Sequence, residues 1–135
     1  MTSHITRIHA PAGVLESPNY CNVAVGEGRT VFVAGQVARD AEGNLVGGGD
    51  FLRQAEQVFE NLRLCLVAAD ATFQDVVKIT CFLTDITNLP LLSKVRVGEI
   101  PDEHRPASSA VQVGALFHPD YLLEVEAVAV VPVTG

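Results

Sequence analysis

The sequence predicts an α+β fold in which two helices cover one face of a mixed sheet. One long segment has the period of an amphipathic helix, several shorter segments have apolar, β-branched patterns, and together they follow the order ββαβαββ. At 135 residues the chain has the length of one ordinary domain. We therefore expect residues 1–135 to form a single domain around one hydrophobic core, without a linker or internal repeat.

The first half of the chain predicts two strands, a loop and the clearest helix. Residues 21–25 and 30–38 are apolar and β-branched, with a glycine-containing turn between them. The glycine-rich stretch 39–50 predicts a loop that ends at Asp50, a suitable helix N-cap. From 51 to about 69, apolar residues recur on one helical face: Phe51, Ala55, Val58, Phe59, Leu62, Cys65 and Leu66.

The second half predicts a strand at 75–86, a weaker helix at 87–98 and two final strands at 107–114 and 121–131. Pro90 is compatible with that helix because it lies in the first turn, where its missing N–H is not needed. The inward positions of this helix are Leu89, Leu92 and either Val95 or Arg96.

Charge and composition exclude several classes of partner. The formal net charge is −7, and the nine basic residues include no adjacent pair, whereas nucleic acids and anionic membranes are bound by clustered Lys and Arg. The stretch MTSHITRIHAP contains no apolar h-region of the kind that a signal peptide has, and no apolar run is long enough to span a membrane. We expect a cytoplasmic protein with no nucleic-acid or membrane partner.

Two features of the surface predict that copies of the chain associate. Only 19% of the residues are charged, which is below the roughly 25% that is usual for soluble domains. In the last strand the positions that should point away from the helices include three apolar residues, Leu122, Val128 and Val130, beside Glu124 and Glu126. A sheet face open to water would not have this composition, so we expect another subunit to cover it.

Cysteines and histidines give no sign of a metal site. The three cysteines stand in apolar stretches without CxxC spacing, as expected of buried thiols in a reducing compartment: Cys21, Cys65 and Cys81. The four histidines are dispersed over the lead-in and two loops: His4, His9, His104 and His118. We expect neither a metal nor a cofactor.

Two short patterns could carry chemistry. Glu124 and Glu126 share one face of the last strand, where a partly buried carboxylate could exchange protons near neutral pH. The alternative is that both are solvated glutamates at the rim of the sheet. Ser108 and Ser109, in HRPASSAVQV, have no nearby catalytic partner in sequence, and the simpler interpretation is that they satisfy backbone groups.

Four stretches resemble the Rid family of reactive intermediate deaminases, also called the YjgF or L-PSP endoribonuclease family. They are VFVAGQV (31–37), QAEQVFENLRLCLVAADATFQDVVKITCFLTDI (54–86), PASSAVQVGAL (106–116) and LEVEAVAV (123–130). The resemblance implies a chorismate-mutase-like α+β fold, with a mixed six-stranded sheet and two helices on one face. It further implies a homotrimer with ligand clefts between subunits and a small imine, enamine or carbonyl metabolite as ligand.

The resemblance also implies roles for individual residues. Glu124 occupies the place of the family's catalytic glutamate, which positions or activates water. Gly35 and Gln36 keep the glycine and glutamine of a turn that helps to close the pocket. Tyr20 falls close to the place of a substrate-contacting tyrosine.

Three positions depart from the family pattern. The arginine that grips a substrate carboxylate in the family is Ser108 here, the turn serine is Ala34, and an asparagine common on the second helix is Ser93. A neutral hydroxyl contact contributes about 1 kcal/mol, whereas a hydrogen bond to a charged group contributes about 1.5–3 kcal/mol. Arg105 could replace the arginine only if its loop folded back over the cleft, because an extended chain places it about 10 Å away and facing the other side.

Three functions are compatible with this pattern. The first is an imine or enamine hydrolase whose substrate choice is altered by Ser108, with Tyr20, Gly35, Ser93, Ser108 and Arg105 as candidate substrate-binding residues. The second is a trimeric module that binds a small molecule, or protects other proteins, without turnover. The third is RNA cleavage, which the acidic net charge opposes.

Overall fold

The computed structural model describes residues 3–133, which contain six strands and two α-helices. In chain order they are β1 (Ile5–Ile8), β2 (Val23–Gly26), β3 (Arg29–Gln36), α1 (Phe51–Ala68), β4 (Val76–Leu83), α2 (Leu89–Glu99), β5 (Ala107–Gln112) and β6 (Leu123–Val131). The α+β class and both predicted helices are confirmed. The additional strand, β1, lies in the polar lead-in, where the sequence patterns predicted no element.

The six strands are divided between two sheets, and do not form the single sheet that the family resemblance implied. A four-stranded sheet has the spatial order β3-β6-β4-β5, with β4 and β5 parallel and the other pairs antiparallel. β1 and β2 form a separate antiparallel ribbon. β2 also approaches β6, since a side chain at Gly26 would overlap that of Val130.

Helix α1 begins at the predicted N-cap. The Asp50 carboxylate accepts a hydrogen bond of 3.1 Å from the backbone N–H of Arg53. In α2, Pro90 lies in the first turn, and the buried residues are Leu92 and Arg96. Of the two inward positions that the sequence left open, Arg96 is therefore the buried one. Within residues 3–133, neither helix has the length and hydropathy required to cross a bilayer.

Buried Gln54 connects α1 to two loops. Its amide nitrogen donates to the carbonyls of Gly47 at 3.1 Å and Asp120 at 2.9 Å. Its amide oxygen accepts from the backbone N–H of Leu122 at 2.9 Å. Every polar atom of this side chain has a partner, which offsets the cost of burying it.

Strand register assigns each residue of the four-stranded sheet to one of two faces, because directly paired residues point to the same side. The helix face packs against α1 and α2 and includes Ile79, Cys81 and Leu83 of the core. Ser108 pairs with Ile79 and therefore lies on the helix face. Glu124 pairs with Phe82, between Cys81 and Leu83, and therefore lies on the opposite side, which we call the open face.

The alternation predicted for the last strand is confirmed. The odd positions of β6 are buried in the core: Leu123, Val125, Ala127, Ala129 and Val131. The open face retains exposed apolar surface, since the Phe32 side chain on β3 is 79% exposed and Val128 beside it is half-buried. Val130, at one end of this face, is buried at 7% exposure and packs against β2 of the same chain.

Candidate functional site

A cavity of about 430 Å³ opens on the helix face, between α2 and the strands β4 and β5. This volume is in the range of small-molecule sites, which combine apolar walls with a few oriented polar groups. The apolar walls include Phe59, Ile79, Cys81, Leu89 and Leu92. The polar lining includes Asn19, Tyr20, Ser93, Arg96, Ser108 and Ser109.

Three of the predicted substrate-binding residues meet in this cavity. Ser108 comes from β5, Ser93 from the middle of α2 and Tyr20 from the segment that leads into β2. That segment is held at β5 by a backbone hydrogen bond of 3.0 Å from the N–H of Cys21 to the carbonyl of Pro106. The fold thus brings together residues that are separated by up to 88 positions in the chain.

Arg105 lies next to the cavity but does not line it. Its guanidinium donates to three backbone carbonyls, those of Ser17 (3.2 Å), Tyr20 (3.2 Å) and Asp102 (3.1 Å). These contacts use all three guanidinium nitrogens and attach the Tyr20 segment to the turn before β5. They give Arg105 a positioning role for Tyr20, and its predicted contact with substrate stays a prediction.

Glu124 is half-buried on the open face and lies directly against the backbone of Gly35. A Cβ atom at position 35 would overlap the Glu124 carboxylate, with its carboxyl carbon only 2.7 Å away. A side chain at position 35 would therefore displace the Glu124 carboxylate from its place against the backbone. Glu126, two residues further along the same face, is exposed.

The predicted residues therefore form two groups on opposite faces of one sheet. Tyr20, Ser93 and Ser108 belong to the cavity on the helix face, whereas Glu124 and Gly35 belong to the open face. Within one protomer the sheet itself separates Glu124 from Ser108.

Comparison with known proteins assigns the family. The sequence model of the family described as Endoribonuclease L-PSP matches residues 11–131. The chain belongs to this family. Its members include the Rid proteins, so the resemblance of the four sequence stretches is confirmed.

Two relatives and one solved structure show the extent of the similarity. The chain is 38% identical over 106 residues to a RutC family protein of Pyrococcus abyssi, covering 78% of this chain and 82% of the relative. It is 33% identical over 131 residues to the 2-iminobutanoate/2-iminopropanoate deaminase of Homo sapiens, covering 96% and 93%. The structure of the Rid family protein YyfB from Yersinia pestis matches with a TM-score of 0.84 and 33% identity, covering 96% and 100%.

Arg96 lines the cavity although the sequence analysis did not select it as a candidate. It lies on α2, one helical turn after Ser93, and is only 4% exposed. The signal was present in the sequence, because Arg96 follows Leu89 by seven residues and Leu92 by four. A charged residue on the apolar stripe of a helix is seldom fully buried without a partner and often marks a functional site.

The cavity thiol is not a nucleophile at neutral pH. Burial raises the pKa of the Cys81 thiol from 9.0 to about 12, so the thiolate is not populated. All three cysteines are free, as the sequence predicted. Ser109 accepts a hydrogen bond of 2.8 Å from the Lys78 ammonium, a contact that provides no activating base.

Among residues 3–133, no group of three or more His, Cys, Asp and Glu side chains is arranged to hold a metal ion. The His4 imidazole instead contacts the Val130 carbonyl at 2.7 Å and the Asp75 carboxylate at 3.0 Å, which attaches the start of the chain to β6 and to the turn before β4.

Proposed function

We propose that the chain is a hydrolase of a small reactive imine or enamine, from which it releases ammonia. The observation that carries this proposal is the position of Glu124: a half-buried carboxylate held against the Gly35 backbone, at the place of the catalytic glutamate of the family. The similarity to an imine deaminase over 96% of the chain supports it.

The active unit in this proposal is a homotrimer with clefts between subunits. Glu124 and the cavity that contains Ser108 lie on opposite faces of the sheet, so a complete cleft takes the cavity from one copy and Glu124 from its neighbour. The exposed Phe32 side chain on the open face supports burial against another copy.

The reaction needs one proton acceptor and no cofactor. Glu124 takes a proton from water as the water oxygen adds to the carbon of the C=N bond. The nitrogen, protonated in turn, then leaves as ammonia while the C=O bond forms. An imine and one water molecule thus give a carbonyl compound and ammonia. Positioned general-base catalysis of this kind contributes roughly 10²–10⁴-fold to the rate.

Ser108 distinguishes the substrate choice of this chain from that of family members with an arginine at the same place. Its hydroxyl is neutral and short, and Ser93 and Tyr20 also contribute uncharged polar groups to the lining of the cavity. We propose that this arrangement accepts substrates that differ in size or pose from those of members with the arginine.

The test compares wild type with Glu124→Gln, and uses Glu126→Gln as the matched control on the same strand and face. The readout is ammonia release from 2-iminobutanoate generated in situ by an amino-acid oxidase. We expect kcat to fall roughly 10²–10⁴-fold in Glu124→Gln and to change little in Glu126→Gln. Equal rates for wild type and Glu124→Gln would exclude Glu124 as the base.

A second candidate is a trimeric module that binds the metabolite without converting it. The neutral Ser108 at the arginine place favours this alternative, because it weakens the grip on a small substrate. Tight binding of the carbonyl product without any accelerated ammonia release by wild type would select it. RNA cleavage is the weakest candidate, since the net charge of −7 opposes binding of a phosphate backbone.

A further inference from the structure

We propose that Arg96 on α2 is the anion-binding residue of the cavity, and that it takes the carboxylate of the substrate in the absence of an arginine at position 108. The positive charge that other family members carry on β5, at the place of Ser108, would then be supplied from α2. The identity of the substrate rests on the proposed function, but the test below measures binding alone.

Arg96 is buried with unused hydrogen-bonding capacity. Its Nη1 atom donates to the carbonyl of Ile100 at 2.9 Å and to the carboxylate of Asp102 at 3.2 Å. Its Nη2 atom is enclosed and has no partner among residues 3–133. An enclosed charged donor without an acceptor raises the free energy of the folded state, and a ligand anion would supply the missing acceptor.

The enclosed nitrogens Arg7 Nε and His9 Nδ1 also lack a partner among residues 3–133, but neither residue lines the cavity. Gln54 is buried as deeply as Arg96, yet each of its polar atoms has a partner within hydrogen-bond distance. Arg96 and Gln54 are the two buried polar or charged residues among those described. Of this pair, Arg96 is the one that lines the cavity and also has an unpaired donor.

The surroundings of Arg96 make the cavity attractive to an anion. Arg96 is the one charged side chain among the residues that line it. The neighbouring thiol of Cys81 is protonated, and the apolar walls strengthen electrostatic contacts by excluding water. Asp102 approaches Nη1 from outside with a side chain that is 60% exposed, so solvent screens its charge.

The positions of the neighbouring hydroxyl groups define a binding mode. Ser93 precedes Arg96 by three residues and so lies beside it on α2, while Ser108 lines the same cavity from β5. Nη2 is out of contact with solvent, so the binding mode requires the guanidinium to turn and present this donor to the cavity. A carboxylate would then receive hydrogen bonds from Arg96 and from the two serine hydroxyls.

The test is calorimetric titration with 2-oxobutanoate, the stable product expected from 2-iminobutanoate. It uses wild type, Arg96→Gln and the control Lys94→Gln, which removes the same charge from an exposed position on the same helix. We expect binding to weaken at least about 10-fold in Arg96→Gln and to be unchanged in Lys94→Gln. The uncharged analogue 2-oxobutanamide should bind wild type at least about 10-fold more weakly than the acid.

Equal affinity of wild type and Arg96→Gln for 2-oxobutanoate would overturn the proposal, as would a failure of wild type to bind the acid at millimolar concentration. Loss of the hydrogen bond to Ile100 could prevent Arg96→Gln from folding. In that case amide chemical shifts of wild type decide the question. Shifts on 2-oxobutanoate addition at 92–96 and at Ser108 support the proposal, and shifts confined to other regions contradict it.

The outcomes separate this proposal from the proposed function. If Glu124→Gln is as active as wild type but Arg96→Gln no longer binds 2-oxobutanoate, the anion site stands and the assignment of the base fails. If Glu124→Gln is inactive and Arg96→Gln binds normally, the hydrolase stands and the anion site fails.

Discussion

The two faces of the four-stranded sheet differ in the groups that they present. The helix face packs against α1 and α2 and surrounds a cavity lined by buried Arg96, whose Nη2 donor has no partner among residues 3–133. The open face carries a half-buried carboxylate and an almost fully exposed phenylalanine. In the proposed function the ligand occupies the cavity of the helix face and Glu124 of the open face acts as the base. The proposal therefore requires two protomers for one complete site.

The largest expected effect is a loss of stability when a core side chain on the helix face is shortened. Phe59→Ala removes a ring with no exposed surface and should lower the free energy of unfolding, measured by urea unfolding, by about 3–5 kcal/mol.

On the open face, Phe32→Ser removes an exposed ring and should leave the protomer folded while it weakens self-association. Analytical ultracentrifugation measures the self-association of wild type and Phe32→Ser. An oligomer that is unchanged in Phe32→Ser would exclude this part of the open face from the interface.

A complementation experiment tests whether the two faces form one site. Ser108→Phe should fill the cavity, and Glu124→Gln should remove the base, so each variant alone should be inactive. In trimers that are purified to contain both variants, about one cleft in three would combine an intact cavity with an intact Glu124. We expect about a third of the wild-type rate of ammonia release. Absence of any recovery in the mixed trimers would contradict a shared cleft.

The smallest expected effect is a loss of stability at alkaline pH that arises from the helix face. Burial raises the pKa of the Cys81 thiol to about 12, so the unfolded chain releases this proton near 9.0 while the folded chain retains it. The contribution of Cys81 to the free energy of unfolding is therefore constant below about pH 9. It falls by about 1.4 kcal/mol per pH unit between the two pKa values.

The measurement is the free energy of unfolding at pH 8 and pH 10. Between these two pH values the free energy of unfolding of Cys81→Ala should fall by about 1.4 kcal/mol less than that of wild type. Cys65→Ala keeps the Cys81 thiol and serves as the control for removal of a cysteine elsewhere in the chain. Identical losses in wild type and Cys81→Ala would show that this thiol does not titrate as the burial requires.

Local patterns in the sequence predicted the elements that depend on near neighbours. The 3.6-residue period located α1, the short polar side chain of Asp50 located its start, and the alternation in β6 assigned its buried positions. The β1 strand was missed because ITRI alternates within a polar segment and pairs only with β2. The division into two sheets was also missed, since strand pairing depends on contacts between segments that are distant in the chain.

The candidate site could be predicted only in part. Family resemblance selected Tyr20, Ser93 and Ser108, and the structure brings these three together. It did not select Arg96, because the sequence could not show whether Val95 or Arg96 points inward. The contacts of Arg105 with three backbone carbonyls depend on how two loops meet, and no local pattern encodes that arrangement.

The sequence by itself determined the fold class, the family and the identities of the groups available for chemistry, because periodicity and residue type act over a few neighbours. The tertiary structure decided which of those groups meet. Pairing of β4 with both β5 and β6 sets Ser108 and Glu124 on opposite faces, since side chains alternate along every strand. Packing of α2 on the sheet likewise buries Arg96 and leaves its Nη2 donor without a partner among residues 3–133. Both outcomes depend on register and packing between segments that are far apart in the chain.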